Sequence, residues 1–186
     1  MKILGIVGSL RRNSNTGILV QEAMNGAKEA GAAVEVLSLT GKNIAPCNGC
    51  DFCVDAGECS INDDMQSIYG KLVEADGIFI GTPVYFWSVS GQVKVFIDRT
   101  YALMQKREMR GKIGGIAVVA RRAGCANAYS LLTTFFVQHR MSLAGGIIGY
   151  ADKERDINHD KEAMTESRLV GKAMVRAIQR ANPSAK

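Results

Sequence analysis

Four cysteines, Cys47, Cys50, Cys53 and Cys59, crowd into thirteen residues, while the fifth, Cys125, stands far from them. Two residues separate each of the first three thiols and five separate the last two. One short loop with this spacing can wrap three sulfurs around a metal centre and return with a fourth, and four thiolates are the common ligand set of an iron–sulfur cluster. Mononuclear zinc usually takes two separated Cys-x-x-Cys pairs, or cysteine with histidine. Neither His139 nor His159 lies near in sequence. The first three positions match the start of the bacterial ferredoxin run, whose next gap is three residues with proline following; here the gap is five and Ser60 follows. The Asn48-Gly49 and Ala56-Gly57 pairs let the loop turn tightly. The reading is a [4Fe–4S] cluster on Cys47, Cys50, Cys53 and Cys59, with zinc and free or redox-paired thiols as alternatives.

A second constellation follows the first apolar run. Ser9, Ser14 and Thr16 offer hydroxyls, Arg11 a guanidinium, and the helix that follows its first-turn amides. Together these suit an anion. The loop lacks the Gly-x-Gly-x-x-Gly of dinucleotide sites and the Gly-Lys-Ser/Thr of P-loops, so a single phosphomonoester is the expected guest; an ordinary polar loop capping a helix is the alternative. Pro83, Val84, Tyr85, Phe86 and Trp87 follow another apolar run and offer stacking surface to a flat heteroaromatic ring, or else a seal on the core or a subunit contact. In a third loop, Gly124 permits close backbone approach and Arg121 or Arg122 could hold negative charge. Cys125 is either a small buried hydrophobe or a thiol facing the ligand.

The elements that must position these loops alternate along the chain. Apolar runs at 3–7, 34–39, 77–81, 113–120 and 143–150 read as strands. Helical patterns read from Ser14 or Asn15 to about 30, after Asp63 and Asp64, over 91–103, over about 127–140 and over about 160–180. The last stacks Leu169, Ala173 and Ala177 beside Val170, Met174 and Ile178. Alternating strands and helices predict an α/β fold, a doubly wound five-stranded parallel sheet of order 2-1-3-4-5, which binds ligands at the carboxyl ends of strands one and three.

With 186 residues the chain is expected to form one domain, 1–186, with the cysteine loop inserted at about 43–62. No run approaches the ~20 apolar residues of a membrane span. The short apolar start is too brief for a secretory signal, and clustered cysteines of odd number argue against a disulfide framework, so a cytoplasmic protein is expected. The net charge of +5 is dispersed, dense only at Lys106, Arg107, Arg110 and Lys112, without a nucleic-acid motif. A solvated surface is expected, with an acidic redox partner or phosphate-bearing cofactor as the alternative and neither nucleic acid nor membrane as partner.

The motifs Gly8-Ser9-x-Arg11 with Ser14-Asn15-Thr16, Pro83-Val84-Tyr85 followed by Gly91-Gln92-x-Lys94-x-Phe96-x-Asp98-Arg99, and the loop from Arg121 to Gly124 resemble the NAD(P)H-dependent FMN reductase family of flavodoxin-like proteins. With the four clustered cysteines, the chain resembles its iron–sulfur flavoprotein branch. The resemblance implies FMN with its phosphate on Ser9, Arg11, Ser14, Asn15 and Thr16. It sets the isoalloxazine beside Pro83, Val84, Tyr85, Phe86 and Trp87 and near Gly124. It further implies a [4Fe–4S] cluster on the cysteine loop and a homodimer or homotetramer that brings one subunit's cluster near another's flavin.

A flavin exchanges two electrons as hydride or one at a time, whereas a cluster moves one. The expected activity is electron transfer between a ferredoxin-like or NAD(P)H donor and an acceptor, with no residue needed as general acid or base. One alternative is a cluster-free NAD(P)H-dependent FMN, quinone or azo reductase; another is a zinc-stabilised binding module. Asp98 and Arg99 are expected to form a structural pair.

Overall fold

The computed structural model describes residues 1–181. Apolar runs rich in branched side chains form five strands, β1 (Lys2–Val7), β2 (Ala33–Ser38), β3 (Gly77–Pro83), β4 (Ile113–Ala120) and β5 (Ser142–Tyr150). They pair in parallel in the order β2-β1-β3-β4-β5, the doubly wound arrangement predicted. Strands covered by helices on both faces must be apolar throughout, and every residue of β4 is buried. At the β2 edge burial is patchy and Glu35 faces a charged neighbourhood, its carboxylate bonded to Lys2 and Lys71.

Parallel strands need crossovers, supplied by α1 (Asn15–Glu29), α2 (Phe52–Ala56), α3 (Met65–Glu74), α4 (Gly91–Arg99), α5 (Tyr101–Met104) and α6 (Cys125–Gln138), while α7 (Lys161–Ala181) follows the last strand and packs back on the sheet. One face of the sheet packs Ile3, Phe79 and Ala117 against Val20 and Met24 of α1 and Met174 and Ile178 of α7. The opposite face packs Leu4, Ile78 and Ile116 against Leu72, Phe96 and Phe136 of α3, α4 and α6. A Cβ on Gly171 would stand 1.9 Å from the carbonyl oxygen of Ala23, so a glycine lets α1 and α7 cross in backbone contact.

The structure refines several expectations. The helix read over 91–103 breaks at Thr100, whose hydroxyl turns back onto the Ile97 carbonyl at 2.7 Å. On α7 the row Val170, Met174 and Ile178 is buried, but Leu169 is exposed. The buried stripe instead takes Ser167, whose hydroxyl donates to the Leu19 carbonyl at 2.6 Å. The cysteine loop contains the short helix α2, flanked by Asp51 and Gly57 in left-handed conformation.

Candidate functional site

At the carboxyl end of β1 the chain is tied to its neighbour. The Gly8 amide donates to the Gly81 carbonyl at 2.8 Å, and the buried Ser90 hydroxyl donates to the Gly8 carbonyl at 2.6 Å. Ser90 also caps α4, accepting from the Val93 amide, so one hydroxyl joins the loops after β1 and β3. Ser9 is buried and accepts from the Arg11 amide at 3.3 Å. Ser14 is the N-cap of α1, accepting from the Gly17 amide at 2.9 Å. Thr16 is buried behind it. The Asn15 carboxamide donates to the Lys153 carbonyl at 2.8 Å and accepts from the Ile157 amide, tying this loop to the chain after β5.

Ser9, Arg11, Ser14, Asn15 and Thr16 share one cleft with Pro83, Val84 and Tyr85 and with Val119, Ala120 and Arg121. Nine of the residues singled out from sequence, Arg121 among them, thus meet at the switch point of the sheet. Phe86, Trp87 and Gly124 lie outside that lining. Tyr85 and Ser88 exchange both backbone hydrogen bonds, at 2.9 and 3.1 Å, around a two-residue turn. Phe86 and Trp87 form its tip with φ of 43° and 67°, and Phe86 is 98% exposed. Gly124, at φ +90°, supports the turn from below: a Cβ there would lie 2.8 Å from Val84 Cγ1 and 3.0 Å from Trp87 Cα.

Asn13, Ala151, Asp152 and Glu154 also line the cleft, and sequence reasoning missed them. The charged run beginning at Asp152 just beyond the last strand was the available signal, because that position falls on the ligand-binding edge of the sheet. Arg121 faces Asp152, Nε to Oδ1 2.6 Å, across the mouth. Cys125 is buried at the start of α6. It is absent from the cleft lining, which favours the small buried residue over a thiol facing the cleft.

In the cysteine loop Cys47 and Cys50 are exposed, Cys53 and Cys59 are half-buried, and none forms a disulfide. Burial pushes the Cys53 thiol up, with smaller contributions from Cys59, Cys47 and Cys50. The Ser60 hydroxyl, 3.5 Å from the Cys50 sulfur, draws that thiol down. Among the described residues no three His, Cys, Asp or Glu side chains are gathered as an ion site.

Both ends of the loop are fastened by Arg99, 2% exposed. Its Nη1 donates to the Ala45 carbonyl at 2.8 Å and to Asp63 Oδ2 at 2.5 Å, and its Nη2 to the Ile61 carbonyl and to Asp63 Oδ1. Asp63 in turn accepts from the amides of Ala45 and Met65, each at 2.9 Å. Burial opposes the Asp63 charge, yet Arg99 and these amides hold its pKa below the ordinary carboxylate value. The expected pairing of Asp98 with Arg99 is therefore corrected. Adjacent helical residues point apart; Asp98 takes Lys94, at 2.6 Å, while Arg99 crosses to Asp63.

The family model for NADPH-dependent FMN reductase matches residues 1–154. An iron–sulfur flavoprotein of Methanocaldococcus jannaschii is 36% identical over 189 residues, covering 96% of this chain and 98% of its own. An iron–sulfur flavoprotein of Archaeoglobus fulgidus is 38% identical over 152 residues, covering 79% of this chain and 77% of its own. Among solved structures, a flavone reductase superposes with a TM-score of 0.81 at 20% identity, covering all of this chain, which spans 65% of that longer protein. That likeness supports the flavodoxin-like fold. The chain belongs to the NADPH-dependent FMN reductase family and is a flavin-dependent oxidoreductase whose relatives include iron–sulfur flavoproteins.

Proposed function

We propose that the protein transfers electrons between a ferredoxin-like or NAD(P)H donor and an acceptor through FMN and a [4Fe–4S] cluster. The observation that carries the reading is the single cleft shared by the loop from Ser9 to Thr16 and the end of β3. Ser9, Arg11, Ser14, Asn15 and Thr16 would hold the phosphate, since helix N-terminal amides and a guanidinium favour an anion. Pro83 to Trp87 and Gly124 would flank the ring. Arg121 and Asp152 line the same cleft and form an ion pair there. FMN, when bound, supplies hydride or single-electron exchange.

The fit to a cluster rests on the donor set. Cys47, Cys50, Cys53 and Cys59 provide four thiols with no competing histidine, on a loop whose left-handed residues Gly49, Asp51 and Gly57 turn it tightly. The iron–sulfur flavoprotein relatives support the same reading. A homodimer or homotetramer would bring the loop of one subunit close to the cleft of another. The alternative, a cluster-free NADPH-dependent reductase, is favoured by the family match itself.

Anaerobic purification followed by a visible spectrum and assays of FMN, iron, acid-labile sulfide and zinc tests the proposal. FMN peaks with a broad iron–sulfur shoulder and about four irons per chain support it. Flavin peaks without iron leave the cluster-free reductase. A protein with no affinity for FMN overturns both.

A further inference from the structure

A second groove, of about 510 Å³, borders the loop from Ser9 to Thr16 on the side of β2. Three arginines, Arg11, Arg12 and Arg155, line it, and no carboxylate does. The first cleft instead balances Arg11 and Arg121 with Asp152 and Glu154. Like charges gathered about one cavity repel. Among the described residues Arg99, Arg121 and Arg168 each hold a carboxylate, whereas Arg11, Arg12 and Arg155 hold none. Guanidinium groups left uncompensated around one concavity point to an anionic guest.

The walls of the groove are fixed by the fold. The Thr40 hydroxyl donates to the Ser9 carbonyl at 2.9 Å, and the Leu39 amide donates to the Val7 carbonyl at 3.0 Å, so the end of β2 is tied to the loop after β1. On the other side Asn15 bonds the Lys153 carbonyl and the Ile157 amide. The Asp156 carboxylate accepts from the Lys153 amide at 2.7 Å. The turn so fastened carries Arg155 at φ 66°, a backbone conformation uncommon for residues other than Gly and Asn. It delivers Arg155 to the same groove as Arg12, far from it in sequence.

A groove of this volume exceeds what a lone phosphate needs, since a water takes about 30 Å³ and small-molecule sites run from about 300 to 1,000 Å³. In doubly wound nucleotide sites an acidic residue past the first turn binds the ribose 2′-hydroxyl of NAD, while a nearby arginine accommodates the 2′-phosphate of NADP. Here β2 ends at Ser38 and leads into Leu39 and Thr40, with no carboxylate among them, and Ser38 and Thr40 line the groove with Arg12. We infer that the groove is a second phosphate subsite, which takes the 2′-phosphoribose of NADPH on Arg12 and Arg155. The inference rests on the NAD(P)H donor of the function proposed above and deepens it, because these two arginines set the choice of NADPH over NADH. Arg11 lines both cavities and serves both phosphates.

The test titrates FMN-loaded protein by calorimetry with the oxidised nucleotides NADP+ and NAD+, which differ only in the 2′-phosphate. NADP+ is expected to bind at least about tenfold tighter. Arg12→Ala combined with Arg155→Asn, the asparagine chosen because it tolerates a left-handed backbone, is expected to reduce that preference to about twofold or less. FMN content and circular dichroism should stay at parental values. A parent that binds NADP+ no better than NAD+, or a folded double variant that keeps the preference, overturns the inference. Loss of binding to an acidic ferredoxin with the preference intact assigns the arginines to a protein partner and overturns it equally. Inorganic phosphate that displaces NADP+ as well as adenosine 2′,5′-bisphosphate does overturns the ribose assignment. If the double variant fails to fold, Arg12→Ala alone decides by the same ratio. If the parent takes up no FMN, the proposed function fails separately, and titration of flavin-free parent and variant with adenosine 2′,5′-bisphosphate decides the groove: a loss of about tenfold supports it, equal binding overturns it.

Discussion

Gly124 and Trp87 meet through their backbones: the space that a Cβ on Gly124 would need lies 3.0 Å from Trp87 Cα, and Gly124 itself sits at φ +90°. The aromatic turn after β3 therefore rests on a residue that cannot carry a side chain. Gly124→Ala should cost about 1–3 kcal/mol of stability through the left-handed backbone and the crowding. It should also displace the turn and weaken FMN binding by about tenfold. Thermal unfolding and flavin fluorescence titration check the two effects separately.

Ser14 has two separable duties, capping α1 and facing the cleft. Ser14→Asp keeps an N-cap acceptor and should leave the melting temperature near the parent value, while its carboxylate repels a phosphate and lowers FMN affinity by at least about tenfold. Ser14→Ala should instead lose about 1 kcal/mol of stability with a smaller loss of affinity. Melting curves and titrations of both variants, read together, locate the phosphate.

The turn at Phe86 and Trp87 puts two bulky residues in a conformation that favours Asn-Gly. The double variant Phe86→Asn, Trp87→Gly should relieve that strain and raise stability by about 1 kcal/mol, or roughly 2–4 °C in Tm for a chain of this size. If the ring lies beside Trp87 as proposed, FMN affinity falls severalfold in the same protein. Calorimetry and fluorescence titration measure both.

His139 is buried beside Phe135 and shares a 3.0 Å hydrogen bond with the Thr100 hydroxyl. Burial pulls its pKa from 6.5 down to about 4. The unfolded chain therefore takes up a proton first as pH falls from about 6.5 to 4, and stability declines across that window, by up to about 1.4 kcal/mol per pH unit. Asp63, whose folded pKa is lowered by Arg99, keeps its contribution above the unfolded carboxylate range and loses it as pH falls through its lower folded value. His139→Gln should flatten the slope between pH 6.5 and 4 without altering the Asp63 loss at lower pH. Urea midpoints measured from pH 7 to pH 3 show whether the two windows separate.

The sheet order, the Ser14 cap and the cleft formed by the first and third loops were legible from sequence because each depends on short-range pattern: strand runs, a capping hydroxyl, and loops that a doubly wound order must place together. The pairing of Arg99 was not. Asp98 is its neighbour in sequence, but the helix turns the two side chains apart and the partner, Asp63, lies 36 positions away. The loop after β5 escaped notice for a similar reason, since its approach to the cleft is set by the Asn15 carboxamide, 138 positions from Lys153.

The amino-acid sequence by itself determined the fold class, because hydrophobic period and turn residues act over a few neighbouring positions. Tertiary structure alone decided which side chains share a bond: Arg99 with Asp63 at the mouth of the cysteine loop, Gly124 beneath Trp87, Arg121 across from Asp152. Such contacts join residues distant in the chain, and they exist only once helices packed on both faces of the sheet have fixed the direction in which each side chain points.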